Sequence, residues 1–174
     1  ALELHLKRLI VGGFEKIFEI GRVFRNEGVS FKHNPEYTLL ELYQAYADYS
    51  DMMTLTEQLL HHLVTQTYAS EIIEYQGEAI QFSLPFKRIR MKDAILEHSG
   101  IDIETASTTT MIDKLKTKGK SHSNDTPKGE LINELYDTFV ENQLIQPTFI
   151  IDYPVETSPL AKKNRHNPNY VERF

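Results

Sequence analysis

A guanidinium, three carboxylates, an imidazole and two phenol rings crowd into the stretch from Arg25 to Tyr43. Arg25 and Glu27 are two apart and share a face if the strand they follow continues through them; Glu41 and Tyr43 share a face for the same reason. Guanidinium offers a planar fork of donors that matches phosphate or carboxylate oxygens. His33 and Asn34 add ring and amide groups in the connection, and Tyr37 adds an aromatic face. Together these residue types make an anion-and-amine site.

Each residue also has a plainer reading. An exposed Arg25–Glu27 pair is worth only ~0–1 kcal/mol, and the clustering with His33 and Asn34 is what favours an anion site. Glu41 stands among Leu39, Leu40 and Leu42, where burial is costly without a partner, although strand alternation also allows it to face water. Glu3 and Glu19 carry the same ambiguity. Tyr37, Tyr43 and Tyr46 are packing residues by default.

The elements that must position these groups follow from periodicity. Leu2 to Val11 reads as a short helix stopped by Gly12-Gly13, with a strand as the alternative. Lys16 to Phe24 alternates and is rich in branched and aromatic residues, a strand; Thr38 to Tyr46 is a second, with Gly28 to Pro35 between them. Hairpin loops usually have two to five residues, so a connection this long needs a functional reason or disorder to account for it. Ser50 or Asp51 is expected to cap a helix whose apolar stripe is Met52, Leu55, Leu59, Leu60, Leu63 and Val64.

Ile72 to Tyr75 and Ala79 to Phe82 form a hairpin around Gln76-Gly77-Glu78. Met91 to His98 and Thr109 to Lys118 are helices ended by Gly100 and Gly119. A further helix starts at Thr126-Pro127, with proline at its first position and Leu131, Ile132, Leu135, Tyr136, Phe139 and Val140 on the buried face. Thr148 to Tyr153 is a last strand. Strands and helices do not alternate regularly, so the expected class is α+β with an antiparallel sheet flanked by helices. Lys32-His33-Asn34-Pro35 is echoed by Arg165-His166-Asn167-Pro168, which shared Asn-Pro turn chemistry explains better than duplication.

Composition bounds the function. The chain has 174 residues, 40% hydrophobic and 25% charged, which is the range of folded soluble domains. It has no cysteine, so disulfides and thiolate metal sites are excluded and an intracellular setting is expected. No apolar run approaches the ~20 residues of a membrane span, and no signal-like segment precedes the first helix. A net charge of −6 argues against a main nucleic-acid grip in this segment; Lys162-Lys163 and Arg165 read as a solvated run. His61-His62 are adjacent on a helix and cannot both face one metal, and Gly12-Gly13 lacks the surroundings of a phosphate loop.

At these residues the chain resembles class II lysyl-tRNA synthetases of the bacterial type. The matching text is Glu3-Leu4, Leu6-Lys7-Arg8-Leu9-Ile10-Val11-Gly12-Gly13-Phe14 and Phe24-Arg25-Asn26-Glu27-Gly28. It continues in His33-Asn34-Pro35-Glu36-Tyr37-Thr38, Glu41, Tyr43 and Ala45-Tyr46-Ala47-Asp48-Tyr49. Gln146-Pro147-Thr148-Phe149-Ile150 and Ser158-Pro159-Leu160-Ala161-Lys162 match near the end, so the likeness spans nearly the whole chain.

The resemblance implies a partial synthetase catalytic domain over residues 1–174. Its motif 2 hairpin would lie at about 16–47, a helical and hairpin segment at 51–145 and a further core strand at 148–153. Arg25 resembles the arginine that contacts the ATP α-phosphate and the amino-acid carboxylate, and Glu27 the carboxylate near the adenine amino group. His33 and Asn34 resemble loop residues around ATP. Tyr37 takes the place of the ring stacked on adenine, more often Phe in the family. Glu41 and Tyr43 look like the pair that selects the lysine ε-ammonium, and Glu3 like the carboxylate near its α-amino group.

The implied activity is ATP-dependent formation of lysyl-adenylate and transfer of lysine to tRNA, in a cytoplasmic homodimer. Alternatives are a paralogue that lysylates a protein and a non-catalytic binding module. His5 and Gly21 stand where the family more often has Tyr and Asn. The family's motif 1, which makes the dimer, would precede residue 1. Motif 3, with a second ATP-binding arginine and the Mg²⁺ carboxylates, would follow Phe174, and the anticodon-binding barrel lies outside the segment. No metal ligand is expected within the chain, and the segment alone is expected to be inactive.

Overall fold

A computed structural model describes residues 2–26, 28–30 and 33–174, in two compact units, 1–48 and 49–174. In the first unit, helix α1 (Glu3–Val11) opens with an acidic residue, Glu3, and closes with a basic one, Arg8, each at the end its charge favours. Gly13, at φ 102°, takes the chain out of the helix in the left-handed region where a side chain is costly. Strands β1 (Lys16–Phe24) and β2 (Glu36–Gln44) then pair antiparallel in unbroken register from Lys16 opposite Gln44 to Phe24 opposite Glu36.

The second strand begins two residues earlier than its alternation indicates. The Asn34 side chain accepts the Glu36 N–H (3.3 Å) and the Pro35 carbonyl accepts the Arg25 N–H (2.9 Å), so pairing starts as soon as the turn is made. At the other end the Ala45 N–H bonds the Glu15 carbonyl (2.8 Å), and Tyr46 turns away at φ 57°.

Strand alternation gives this ribbon two unlike faces. One carries Phe18, Ile20, Phe24 and Leu40, all exposed, with Arg22 paired to Glu36. The other carries Ile17, Glu19, Gly21 and Val23 opposite Tyr43, Glu41, Leu39 and Tyr37. Helix α1 packs on this second face: Lys7 lies over the Tyr43 ring, and a Cβ built on Gly21 would meet Leu2 at 4.0 Å.

The second unit starts with α2 (Tyr49–Tyr68), so Ser50 and Asp51 lie in its first turn rather than capping it. Its packed face also differs from the expected stripe. Leu60 and Leu63 are exposed, while Met53 and Glu57 are the buried positions, with Tyr49 a turn before them. The helix turns this way because Met53 meets Phe86 and Phe149. Glu57 is accommodated beside them by two donors: the Phe86 N–H to Oε2 (3.0 Å) and Arg88 Nη2 to Oε1 (3.0 Å).

Strands β3 (Ile72–Tyr75) and β4 (Glu78–Gln81) form the hairpin, turned by Gln76 and Gly77, both at positive φ as a tight hairpin turn requires. Strand β5 (Lys87–Arg90) has no apolar signal beyond Ile89 and was not expected from the sequence. It pairs parallel with β6 (Thr148–Ile151), the one parallel pair among the described residues. Parallel pairing needs a long crossover. Helices α3 (Met91–Ser99), α4 (Thr108–Lys116) and α5 (Lys128–Phe139) lie within it and supply most of the core: Met91, Ile95, Met111, Ile112, Leu115, Leu131, Ile132 and Leu135.

Proline 127 is the residue before α5, not its first helical residue, and Ser107 caps α4 by accepting the Thr110 N–H. The expected last strand is broken at Asp152 (φ 54°) into β6 and a short β7 (Tyr153–Pro154), which pairs with β8 (Tyr170–Val171). The α+β class stands, and no helix among the described residues is long and apolar enough to cross a membrane.

The segment leading into β8 is tied down by charge. Arg165 donates to Glu172 from Nε (2.7 Å) and Nη2 (3.2 Å), and Lys162 approaches the same carboxylate at 3.3 Å. The Arg165 bonds, then Lys162, hold the Glu172 carboxyl down to about 2 from its ordinary 4.5. A depressed carboxyl stabilises the fold above its unfolded value and loses that contribution as pH falls through the folded one. Thermal melts should therefore show the parent protein above Glu172→Gln at neutral pH, with the gap closing from about 4.5 down toward 2. A gap that does not change with pH would mean that shape, not charge, holds the segment. Asn167 accepts the Asn169 N–H (3.1 Å), as Asn34 accepts that of Glu36, so the repeated His-Asn-Pro text is one turn used twice.

Candidate functional site

The inner face of the β1–β2 ribbon gathers most of the residues singled out from the sequence. The Tyr43 hydroxyl donates to Glu41 Oε1, which the two-residue spacing on β2 allows directly. Burial first, then that bond, then the charges of Glu41 and Glu3 raise the Tyr43 phenol well above its ordinary value, so it stays a donor. Glu41 is half-buried and lies opposite Glu19 in the register. Like charges directly across a ladder are destabilising, so this pairing opposes stability and points to a cationic partner.

Glu3, in the first turn of α1, is bonded by Lys7 Nζ one turn on, which holds its carboxyl below the ordinary range. The same Nζ stands 5.9 Å from the centre of the Tyr43 ring. Glu3, Lys7, Tyr43 and Glu41 therefore form one run of contacts, with Glu19 beside it. A Cβ on Gly21 would come 3.9 Å from Glu19 Oε1, so the glycine leaves room over that carboxylate. Lys7 was not among the residues expected at the site, and Glu19 was read from the sequence only with the ambiguity it shares with Glu3 and Glu41. The Glu3–Lys7 spacing of four was visible in the sequence, but the approach to Tyr43 needs the packing of α1 on the ribbon.

Arg25 lies one residue beyond the end of β1, so the strand does not run on through it. Its guanidinium stands 5.5 Å from the centre of the Tyr37 ring, a cation–π arrangement at the loop end of the inner face. Glu27 lies outside the described residues. His33 and Ser30 close a turn: the Ser30 N–H bonds the His33 carbonyl (2.9 Å), the His33 N–H bonds Ser30 Oγ (3.1 Å), and Oγ is 3.0 Å from His33 Nδ1. Asn34 is spent on its own turn. The ribbon thus brings Glu3, Glu41 and Tyr43 together at one place and Arg25 with Tyr37 at another, while His33 and Asn34 shape the loop between the strands.

Chemically, one end of the face offers carboxylates and a phenol to an ammonium, and the other a fork and a flat ring to an anion joined to an aromatic group. Among the described residues no three His, Asp or Glu side chains are grouped to hold a metal ion.

A family model described as tRNA synthetases class II (D, K and N) matches residues 1–174, and the chain belongs to that family. Among its relatives, the lysine–tRNA ligase of Fervidobacterium nodosum is 54% identical over 175 residues, covering all of this chain and 34% of its own length. The lysine–tRNA ligases of Thermosipho melanesiensis and Clostridium acetobutylicum are 51% and 49% identical, again over all of this chain and 34% and 35% of their own. The chain thus spans about a third of the length of the curated relatives it matches.

Proposed function

We propose that this chain is the central part of a lysine–tRNA ligase catalytic domain, with its motif 2 hairpin at about 16–47, and that the whole protein activates lysine with ATP. The carrying observation is the run Glu3–Lys7–Tyr43–Glu41 on the inner face, where a carboxylate and an aromatic ring already meet an ammonium group and a second carboxylate takes that ring's hydroxyl. Lysine brings two ammonium groups and a carboxylate. Glu41 and Tyr43 take the ε-ammonium, Glu3 the α-amino group, and Arg25 the carboxylate together with the ATP α-phosphate. Tyr37 stacks on adenine, Glu27 meets its amino group, and His33 and Asn34 shape the loop around ATP.

The lysine carboxylate then attacks the α-phosphate in line, forming the acyl–phosphate bond as the bond to pyrophosphate breaks. A hydroxyl at the 3′ end of the tRNA then attacks the lysyl carbonyl, forming an ester as the acyl–phosphate bond breaks and AMP leaves. No side chain forms a covalent intermediate; Arg25 holds two anions together and meets the charge that develops between them. Coverage of the whole chain by relatives named lysine–tRNA ligase supports this reading, and a cytoplasmic homodimer is its proposed setting.

The test is Glu41→Gln in the full-length protein. Removing one partner of a desolvated charge pair costs ~2–5 kcal/mol, so the KM for lysine should rise at least about thirtyfold, with that for ATP little changed. Equal effects on both substrates would place Glu41 in support of the strand instead.

A further inference from the structure

Lys7 puts an ammonium of the protein's own where the proposed function needs the substrate's. Its Nζ bonds Glu3 and lies 5.9 Å from the centre of the Tyr43 ring, whose hydroxyl is bonded to Glu41. Cation over ring and cation on carboxylate are the contacts that a substrate ammonium makes when such a face receives it. The side chains of Lys7 and Glu3 are both more than half exposed, so their bond is open to exchange with a competing cation. The face has reason to keep a resident cation while empty: Glu19 lies directly across from Glu41, and Glu3 is near enough for its charge to reach Tyr43.

We propose that Lys7 is a built-in competitor of the incoming substrate ammonium, holding the Glu3 carboxylate beside Tyr43 until the substrate takes it over. The inference rests on the lysine-activating reading of the same face. Before binding, Lys7 orients Glu3 and offsets part of the carboxylate charge. On binding, the substrate either displaces the Lys7 ammonium from Glu3 or shares the carboxylate with it. Displacement costs the Lys7–Glu3 bond, sharing sets two positive charges at one acceptor, and either way affinity for the substrate is lowered. Two like charges about 5 Å apart in a water-like medium repel by roughly the free energy of a fourfold change in Kd. The repulsion acts between exposed groups, so salt screens it.

The experiment is calorimetric titration of lysine into the full-length protein and its Lys7→Met, Lys7→Arg and Glu41→Gln variants, at low and at high salt, with thermal melts alongside. Lys7→Met keeps the apolar stem and removes the charge; it should tighten lysine about fourfold at low salt, and the gain should vanish at about 1 M salt, where the screening length falls to about 3 Å. Lys7→Arg restores a cation and should return the Kd to the parent value, which a purely structural role for the stem would not require. If Lys7→Met leaves lysine binding unchanged or weakens it while Glu41→Gln weakens it strongly, Lys7 is no competitor and the lysine-binding reading stands without it. If Glu41→Gln leaves lysine binding intact, the reading of the face itself fails, and this inference with it.

Discussion

Replacing Arg25 by lysine in the full-length protein should slow adenylate formation about a hundredfold to a thousandfold while leaving the thermal melt unchanged. Losing a preorganised contact to developing charge costs ~3–4 kcal/mol, and that is the size of the expected loss. The reason is shape rather than charge. Arg25 sits where β1 ends and the loop begins, its N–H tied to the Pro35 carbonyl (2.9 Å) and its guanidinium beside the Tyr37 ring. A fork held at that point can meet two anions at once; a lysine ammonium keeps the charge and cannot span both. Were Arg25 only an exposed cation on a ring, the change would cost ~0.5–1 kcal/mol. Pre-steady-state adenylation rates separate the two, and a variant within about threefold of the parent would return Arg25 to the surface.

The second large effect is on stability and concerns the second unit. Glu57→Ala should destabilise the second unit by roughly 3 kcal/mol, at the low end of the cost of breaking a buried pair. Glu57 is 5% exposed and takes two bonds, from the Phe86 N–H and from Arg88. Its loss orphans a backbone donor among Phe86, Phe149 and Met53, while Arg88, a third exposed, recovers some hydration. Arg88 also donates to the Phe86 carbonyl (3.0 Å) and lies over the Phe149 ring, which keeps it in place and limits the damage. Chemical denaturation of the parent and Glu57→Ala measures the difference. A shift below about 1 kcal/mol would show that the carboxylate is as well solvated as a surface pair.

Glu57 also shows where sequence reading stops. A carboxylate in a helix of Met and Leu reads as a solvated position, and the stripe Met52, Leu55, Leu59, Leu60 was the natural apolar face. The face that packs instead runs through Tyr49, Met53 and Glu57, because the charge is met by an N–H and a guanidinium about thirty residues away in sequence. Strand β5, Lys-Arg-Ile-Arg, carries no alternation strong enough to read, and only β6 and the three helices between them make it a strand. Where structure is local, the sequence alone determined it. Strand β1 came from alternation, the β3–β4 hairpin from Gln-Gly at positive φ, and α3 from its apolar spacing and Gly100.

The candidate site divides along the same line. The residue types, the Glu41–Tyr43 spacing and the Glu3–Lys7 spacing are properties of the chain, since side chains two apart on a strand or four apart on a helix must be neighbours. The packing of α1 on the ribbon brings Lys7 to Tyr43, and strand register sets Glu19 opposite Glu41; neither can be read from spacing. Contacts between elements depend on which faces bury the most apolar surface, and that is decided by the whole fold competing at once rather than by any one segment.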